Sequence, residues 1–362
     1  MAIHVDETAL EEQLYDDLAR ANALPLWKIA SLMTPEPTTR IVPHIWRWSE
    51  LEPLLSRSGE LVPIERGGER RALQLANPGL GGEWATTDTL VAAVQLLLPE
   101  ERAPAHRHSP SAIRFIMEGE GAYSAVDGER CVMMPGDLVL TPNFSWHDHG
   151  NDTDHRVIWM DGLDVPFVRS INSVFFQPWK EIGFPTTRPD NNSLTLFGSG
   201  SLQPTWARPA VEHSPLLVYP WTQTEQALRS MRGLDGSPYD GVALQYLHPH
   251  TGGPVLPTID CWIQALTPGT RLKAHRHTNS AVYHVHRGSG YSIINGQRFD
   301  WQRGDYLVIP QWAWHEHGND GHEDAVLFSI QDSPIHKALG LFREEVLEVN
   351  GGHQEVTSRF QG

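Results

Sequence analysis

Histidines recur at short, fixed spacings in this chain, in an arrangement that could hold a metal ion. His106 and His108 are separated by one residue, and His147 follows in the segment SWHDHGN. Side chains at positions i and i+2 of a β-strand point to the same face, so the first two imidazoles would converge. Turn signals between them and His147 indicate several antiparallel strands that bring the third histidine back to the pair. The spacing predicts a closed barrel with three histidines inside.

The same arrangement occurs a second time, with His275, His277 and His315. A single histidine in an apolar strand is more often a satisfied core residue than a ligand. An HxH pair with a matched third histidine, found twice, makes metal binding the better interpretation. Three neutral imidazoles suit zinc, iron, copper or nickel and leave coordination positions open for chemistry. A metal-dependent hydrolase or isomerase and a non-catalytic ligand-binding protein remain alternatives.

The histidines lie in two β-rich stretches that are copies of each other. HRHSPSAIRFIMEGEG in the first copy aligns with HRHTNSAVYHVHRGSG in the second, and PGDLVLTPNFSWHDHGN aligns with RGDYLVIPQWAWHEHGN. Short β-branched and aromatic runs separated by Gly, Pro, Asn and Asp are typical of all-β domains. The internal repeat therefore predicts two barrels of the same fold.

Changes in texture along the chain predict five segments. They are an N-terminal helical arm (1–60), a first β-domain with the main catalytic site (61–166), a connector (167–237), a second β-domain (238–335) and a C-terminal helix and tail (336–362). Apolar residues at helical spacing predict a helix from Glu7 to about Met33 and a short connector helix around Glu225 to Met231. The amphipathic segment IHKALGLFREEVLE predicts a last helix before a disordered end.

Composition limits the partners of the chain. There are 28 Lys and Arg against 44 Asp and Glu, and the net charge of −16 opposes binding to nucleic acid. No apolar run is long enough to cross a bilayer, and the N-terminus is acidic where a signal peptide would be basic, so we expect a cytoplasmic protein. Cys131 and Cys261 are too few for a disulfide framework and are expected to be reduced. An anionic substrate would need locally concentrated arginines.

Several segments around the histidines resemble those of a known family. They are ALPLWKIASLM, VPHIWRW, RGGERRAL, LANPGL, HRHSPSAIRFIMEGEG, LTPNFSWHDHGND and WMDGLDVPF, and the resemblance runs from about Leu24 to Glu344. They are similar to gentisate 1,2-dioxygenases and to the related salicylate and 1-hydroxy-2-naphthoate dioxygenases. The resemblance implies an all-β fold with helical additions, a bicupin of two double-stranded β-helix (jelly-roll) barrels. Cupins often carry a glutamate a few residues after HxH, and this chain does not.

The resemblance also implies roles for individual residues. It implies that His106, His108 and His147 hold Fe(II), and that Arg114, placed on the same strand face as His108, anchors the substrate carboxylate. Further residues implied to line the pocket or orient its groups are Arg66, Arg70, Gln95, His149 and Asp161, the last two as catalytic groups. The alternative for Arg66 and Arg70 is a surface salt-bridge network, and the alternatives for Asp161 are a turn cap or a pair with an arginine.

The reaction implied is the cleavage of gentisate by O2 to maleylpyruvate, with Fe(II), no organic cofactor, and a homotetrameric enzyme. A neutral histidine triad leaves the iron its full charge, so an ortho-hydroxy carboxylate could chelate it beside O2. Salicylate, a substituted salicylate and 1-hydroxy-2-naphthoate remain alternative substrates. The second hydroxyl of gentisate makes its ring easier to oxidise, which favours gentisate. A non-catalytic metal-binding bicupin is the alternative of another class.

The second copy differs from the first around its histidines. Tyr283 stands where the first copy has Arg114, and Ser329 stands where it has Asp161. We therefore expect turnover in the first domain and interpret the second triad as a candidate second metal site. His284 or Arg287 could supply an alternative anchor there. Neither nucleic acid nor a membrane is an expected partner; the expected partners are a small aromatic acid and O2.

Overall fold

The computed structural model of the chain describes residues 7–29, 33–66, 71–207 and 212–361. The chain divides into two compact units, Met1–Thr38 and Thr39–Gly362. In the first unit, helix α1 spans Glu7–Arg20 and a short 3-10 turn spans Leu26–Lys28. The expected helix as far as Met33 is therefore wrong beyond α1. The left-handed backbone of Asn22 (φ 53°) ends the helix, and Pro25 follows closely.

The second unit contains two β-barrels, each built from two sheets. The strands of the first are β2 (Ala72–Gln74), β3 (Val91–Leu97), β4 (Arg102–His108), β5 (Ala112–Glu118), β6 (Tyr123–Val126), β7 (Glu129–Val132), β8 (Leu138–Thr141), β9 (His147–Gly150), β10 (Val157–Leu163), β11 (Phe176–Pro178) and β12 (Val218–Tyr219). One sheet has the order β12-β8-β5-β10-β3-β2, and the other has the order β11-β4-β9-β6-β7.

The second barrel repeats this layout. Its strands are β1 (His44–Trp46), β13 (Val242–Gln245), β14 (Asp260–Leu266), β15 (His275–His277), β16 (Ala281–Arg287), β17 (Ser289–Ile294), β18 (Gln297–Gln302), β19 (Tyr306–Ile309), β20 (His315–Gly318), β21 (Ala325–Gln331), β22 (Glu344–Val346) and β23 (Ser358–Arg359). The sheets are β1-β19-β16-β21-β14-β13 and β22-β15-β20-β17-β18-β23. The predicted all-β bicupin fold with helical additions is confirmed.

Among the described residues, five further helices lie around the barrels. They are α2 (Trp48–Leu61), α3 (Val165–Ser170), α4 (Asn192–Phe197), α5 (Trp221–Ser230) and α6 (Ser333–Ala338). The helix α5 matches the predicted connector helix. Within the described part of the chain, no helix is both long and apolar enough to span a membrane.

Segments outside the aligned repeat complete both barrels. In the first copy α3 leads to β11, which pairs with the histidine strand β4, and in the second α6 leads to β22, which pairs with β15. The N-terminal strand β1 pairs with β19 of the second barrel. The predicted long tail helix is wrong, because α6 ends at Ala338 after six residues and is followed by Gly340, whose φ is +71°. The chain then forms β22 and β23 where a disordered end was expected.

One apolar cluster extends across both barrels, and a second cluster lies within the second barrel. The β3 segment VAAVQLL is buried along its whole length, which is typical of a strand covered on both faces. Phe115 on β5 stacks on Phe328 on β21, with ring centroids 4.1 Å apart and planes 12° apart. Both rings belong to the same buried cluster, so this contact joins the first barrel to the second.

Phe115→Ala is expected to lower the free energy of unfolding by about 3–5 kcal/mol, because it removes a buried ring from a packed contact. Phe175→Ala removes the same group from a side chain that is 64% exposed, and it should cost less than about 1 kcal/mol. Denaturant unfolding of the two variants checks this. If the two variants lost the same free energy of unfolding, the stabilising role of the Phe115–Phe328 contact would be contradicted.

Candidate functional site

Three imidazoles meet inside the first barrel. His106 and His108 lie on β4, and His147 on β9 is the direct register partner of His106. One nitrogen from each ring lies within 4.8 Å of the other two. The ring of His147 is 4.4 Å from that of His106 and 4.7 Å from that of His108, centroid to centroid. The spacing argument thus brings together the three residues that it selected.

Hydrogen bonds orient these rings for a metal ion. The Nδ1 atom of each ring lies at hydrogen-bond distance from a backbone carbonyl two residues away in sequence; the acceptors are Pro104 (2.8 Å), Pro110 (2.7 Å) and Ser145 (2.9 Å). A carbonyl only accepts, so Nδ1 carries the proton and the Nε2 lone pair remains for a ligand. The Nε2 atom of His147 is buried without a hydrogen-bond partner. This donor set fits a divalent transition metal.

Arg114 reaches the same interior from another strand. It lies on β5, in the opposite sheet from β4, so its expected position on the strand face of His108 is wrong. The turn between the strands is fixed by Asp164, whose Oδ1 accepts from the backbone N–H of Ser111 at 2.8 Å. This turn moves the chain from one sheet to the other, and periodicity along a single strand cannot anticipate it.

The Arg114 guanidinium is almost fully buried and is held by three groups. Nη1 donates to Thr141 Oγ1 at 2.6 Å, Nη2 donates to His149 Nε2 at 2.8 Å, and Nε lies 3.3 Å from Asp161 Oδ1. Each terminal nitrogen carries two N–H groups, so one on each is still available. A buried cation with a free N–H on both arms can bind a carboxylate through two hydrogen bonds.

His149 is a neutral imidazole in this network. A guanidinium can only donate, so Nε2 accepts from Arg114, and we infer that Nδ1 carries the proton that is shared with Ser124 Oγ at 2.9 Å. Burial, and then the charge of Arg114, hold the pKa of His149 well below its usual range. The sequence does not show burial, so this lowered pKa could not be predicted from it. Nε2 of His149 carries no proton, so it is suited to accept one and not to donate one.

Asp161 faces Arg114 across β5 and β10, in direct register. Its Oδ1 also accepts from Trp159 Nε1 at 3.1 Å. Burial raises the pKa of Asp161 from 3.8 to about 6, against the opposing effects of Arg114 and Trp159. Burial also lowers the pKa of Arg114, but a guanidinium stays protonated near neutral pH. The two groups form an ion pair at neutral pH, so Asp161 orients the arginine.

Asp161→Asn is expected to flatten the pH dependence of stability. The folded state holds the Asp161 proton more tightly than the unfolded chain, so the stabilising contribution is complete below about pH 4 and is lost as the pH rises through about 6. The variant should lose this part of the decline in the free energy of unfolding, measured by urea unfolding from about pH 4 to 7. The exposed Asp190→Asn serves as control. Parallel curves for Asp161→Asn and the unsubstituted protein would contradict the raised pKa.

The other sequence-selected residues divide into three cases. Gln95 is buried on β3 opposite Trp159, on the face that looks into the barrel. Arg66 is exposed and donates to the carbonyl of Leu61 at 2.8 Å, outside the buried network of Arg114. Arg70 lies outside the described residues.

Two residues of the network were missed by sequence reasoning. Thr141 gave no signal, because the matching position of the second copy is Ile309. Ser124 could have been found, since its counterpart Ser292 contacts His317 Nδ1 at 2.7 Å, just as Ser124 contacts His149. A polar residue kept at the same place in both barrels was the available signal.

The second barrel holds a second compact triad. His275, His277 and His315 also place one nitrogen each within 4.8 Å of one another. The two suggested replacement anchors lie elsewhere. His284 packs on the ring of Tyr306 at 4.8 Å and within 5.9 Å of Phe115, between the barrels. Arg287 is exposed and pairs with Glu225 at 2.9 Å, so neither expectation holds.

The fold and the triads define a class before any particular relative is considered. A family model described as a cupin domain matches residues 93–165 and 262–331, one match in each barrel. The chain is thus a two-cupin protein with a histidine triad in each cupin.

Relatives over nearly the full length narrow this class. The chain is 40% identical over 354 residues to 5-aminosalicylate 1,2-dioxygenase of a Comamonas species, covering 96% of this chain and 94% of the relative. It is 39% identical over 345 residues to gentisate 1,2-dioxygenase of a Streptomyces species, covering 93% and 96%. A solved variant of salicylate 1,2-dioxygenase from Pseudoaminobacter salicylatoxidans, in complex with gentisate, is 37% identical with a TM-score of 0.88 and covers 96% and 98%. The chain belongs to the gentisate 1,2-dioxygenase family and is a dioxygenase.

Proposed function

We propose that the chain is an Fe(II)-dependent dioxygenase that opens the ring of gentisate to give maleylpyruvate. The C1–C2 bond between the carboxyl-bearing and hydroxyl-bearing carbons breaks, and both atoms of O2 are retained in the product. His106, His108 and His147 hold the metal ion in the first barrel, and no organic cofactor takes part. Relatives that are named for gentisate, 5-aminosalicylate and 1-hydroxy-2-naphthoate support this class of substrate.

One observation carries the proposal: a buried arginine with hydrogen-bonding capacity to spare lies in the same barrel as the triad. Arg114 contacts His149 at 2.8 Å, and the ring of His149 is 5.7 Å from that of His147. An aromatic acid with its carboxylate on Arg114 would thus extend its ring and hydroxyl toward the triad. Asp161 pairs with the Nε side of the guanidinium, and the free N–H groups on Nη1 and Nη2 favour an anionic ligand that accepts two hydrogen bonds.

The residues around the ring have distinct tasks. Arg114 binds the carboxylate, and Asp161 and Thr141 hold the guanidinium in position. The carboxylate uses the free N–H on each terminal nitrogen of Arg114. A substrate hydroxyl that replaces Nη2 as the hydrogen-bond donor to His149 Nε2 would give its proton to that nitrogen. Fe(II) would supply the exchange of electron density between the ring and O2.

An oxygen-electrode assay tests the proposal. The protein is stripped of metal, reconstituted anaerobically with Fe(II), and mixed with gentisate in oxygenated buffer. We expect oxygen uptake that depends on both Fe(II) and gentisate, with one O2 consumed per gentisate. No uptake under these conditions would refute dioxygenation of gentisate and favour a non-catalytic bicupin.

The same assay ranks the alternative substrates. Salicylate, 5-aminosalicylate and 1-hydroxy-2-naphthoate share the ortho-hydroxy carboxylate that Arg114 and the metal would bind. The para-hydroxyl of gentisate adds electron density to the ring, so we expect gentisate to have the highest kcat/KM of this panel. A higher value for salicylate would overturn the ranking and leave the mechanism intact.

We also propose that the enzyme is a cytoplasmic homotetramer. The two buried, unpaired cysteines, Cys131 and Cys261, suit a reducing compartment. Large exposed apolar side chains in both units, among them Leu24 and Trp206, are available for contacts between subunits. Light scattering of the purified protein measures the oligomeric state, and a monomeric mass would reject it.

A further inference from the structure

A cavity of about 330 Å³ lies between the two barrels, apart from both histidine triads. Its size is at the lower end of the range for small-molecule pockets, about 300 to 1,000 Å³. Residues from β5 and β16, from the start of α2 and from the turn before β19 line it; they are Trp48, Met117, Glu118, His284, His286, Arg303 and Gly304. The inter-barrel cavity is therefore large enough for a single-ring ligand.

The second copy of the repeat places polar side chains at this cavity where the first copy has apolar ones. The aligned pairs are Phe115 and His284, Met117 and His286, and Pro135 and Arg303. Three side chains with N–H donors thus replace three that donate nothing. An apolar contact between barrels needs none of these donors, and burying them costs free energy unless they meet an acceptor. The substitution favours a ligand that supplies the acceptor.

Both histidines pack against aromatic rings. His284 is 2% exposed, its Nδ1 atom is buried without a hydrogen-bond partner, and its ring lies 4.8 Å from that of Tyr306. The ring of His286 lies 4.4 Å from that of Trp221 and 5.3 Å from that of Phe115. Burial lowers the pKa of His286 to about 4 and holds that of His284 well below its usual range. Each imidazole is neutral near pH 7 and keeps one N–H to donate.

Arg303 gives the inter-barrel cavity a positive charge. Its guanidinium is exposed, and its charge contributes to the lowered pKa of both histidines. Within the described part of the chain, no carboxylate pairs with it. Glu118 also lines the cavity, but it pairs with Arg156 at 2.9 Å, so its charge is balanced. The site therefore favours a ligand with a single negative charge.

Two walls of the cavity suit an aromatic ring. The backbone N–H of Trp48 donates to Asp305 Oδ1 at 2.9 Å, which fixes the start of α2. The indole lies against Gly304, where a β-carbon would be 2.5 Å from the ring. Met117 Sδ accepts from the hydroxyl of Tyr306 at 2.8 Å, which holds the thioether in place. An indole and a thioether are both favourable neighbours of an aromatic ring.

We propose that the inter-barrel cavity binds one small aromatic monocarboxylate, with the carboxylate on Arg303 and His286 and the ring against Trp48 and Met117. This second site takes no part in ring cleavage. The inference rests on the proposed function only in its choice of an aromatic acid as the ligand. It gives the polar residues of the second copy a role that their apolar counterparts cannot perform.

Calorimetric titration with benzoate tests the proposal. The metal-free Arg114→Gln protein lacks the carboxylate anchor of the first barrel, and we expect it to bind one benzoate per chain. Adding Arg303→Gln should weaken this binding by about 10-fold or more, because the cation is lost. Arg57→Gln, at an exposed position of α2, should have no effect. No binding in the Arg114→Gln protein, or equal affinity after Arg303→Gln, would overturn the proposal.

The repeat supplies a second variant that preserves packing. His284→Phe together with His286→Met installs the residues of the first copy. This change should abolish benzoate binding without lowering the free energy of unfolding, since it removes buried imidazoles that lack hydrogen-bond partners. Retained binding would refute the role of the histidines. If Arg114→Gln does not fold, Arg114→Gln with Asp161→Asn provides the background, and the Arg303→Gln comparison still decides.

Two further ligands separate the charge from the ring. Benzyl alcohol lacks the charge and acetate lacks the ring, so each should bind at least about 10-fold more weakly than benzoate. Acetate binding as tight as that of benzoate would refute an aromatic site. A lack of gentisate turnover in the unsubstituted enzyme would bear only on the first barrel and leave these titrations unchanged.

Discussion

His106→Ala is expected to lower turnover of gentisate by about a thousand-fold or more. Two remaining imidazoles do not complete the three-ligand set that a catalytic ion needs, and a methyl group cannot replace the lost nitrogen. Oxygen uptake and metal content, measured on the same sample, should fall together.

Two other histidine-to-alanine variants serve as controls for His106→Ala. His322→Ala, at an exposed position, should leave both quantities unchanged. His275→Ala should remove the ion of the second barrel and lower turnover far less than His106→Ala does. Full activity in the His106→Ala protein would show that turnover does not depend on the first triad.

Arg114→Gln is expected to lower kcat/KM for gentisate by about 100- to 1000-fold, mainly through KM. Truncating one partner of a buried, hydrogen-bonded charge pair typically costs about 2–5 kcal/mol, and each 1.4 kcal/mol is a factor of ten. The metal content should stay the same, because Arg114 contacts His149 and none of the three ligand histidines. Arg114→Lys keeps the charge without the planar fork, so its kcat/KM for gentisate should lie between that of the unsubstituted enzyme and that of Arg114→Gln.

The probe for the arginine's role is a substrate without its carboxylate. Hydroquinone has the two hydroxyls of gentisate and no carboxylate, so its weak turnover should be the same in the unsubstituted and Arg114→Gln enzymes. Since the variant leaves Asp161 buried without its cation, the double variant Arg114→Gln, Asp161→Asn controls for instability. A loss of kcat/KM that is equal for hydroquinone and gentisate would show that Arg114 does not recognise the carboxylate.

The triads could be predicted from the sequence because the repeat supplied them twice. His106 and His108 share a strand, so a period of two places them on one face without further information. Arg114 was selected through the family resemblance, but its sheet was not predicted. A turn fixed by Asp164, which is distant in sequence, moves it to the facing sheet. Contacts of this kind depend on tertiary structure and leave no local pattern.

The partners and the ionisation of the site residues were the least predictable part. Burial, and then the charge of Arg114, lower the pKa of His149, and neither neighbour relation is visible in the local sequence. The amphipathic tail, expected to be a helix, is helical only as far as Ala338 and then contributes β22, which pairs with β15. In both cases, residues from another part of the chain determine the outcome: they set the pKa of His149 and pair with the tail as a strand. Their effect outweighs the local propensity of the sequence.

The pairing of β1 with β19 imposes an order on the synthesis of the chain. His44 leaves the ribosome roughly tens of seconds before its partner Val308, given about 5 to 20 residues added per second. During this interval the first barrel can close around His106, His108 and His147. The strand at residues 44–46 stays unpaired, because its partner strand β19 has not yet been synthesised. A fragment that stops before residue 306 would therefore carry a complete first triad together with an unpaired strand, which is a template for association with another chain.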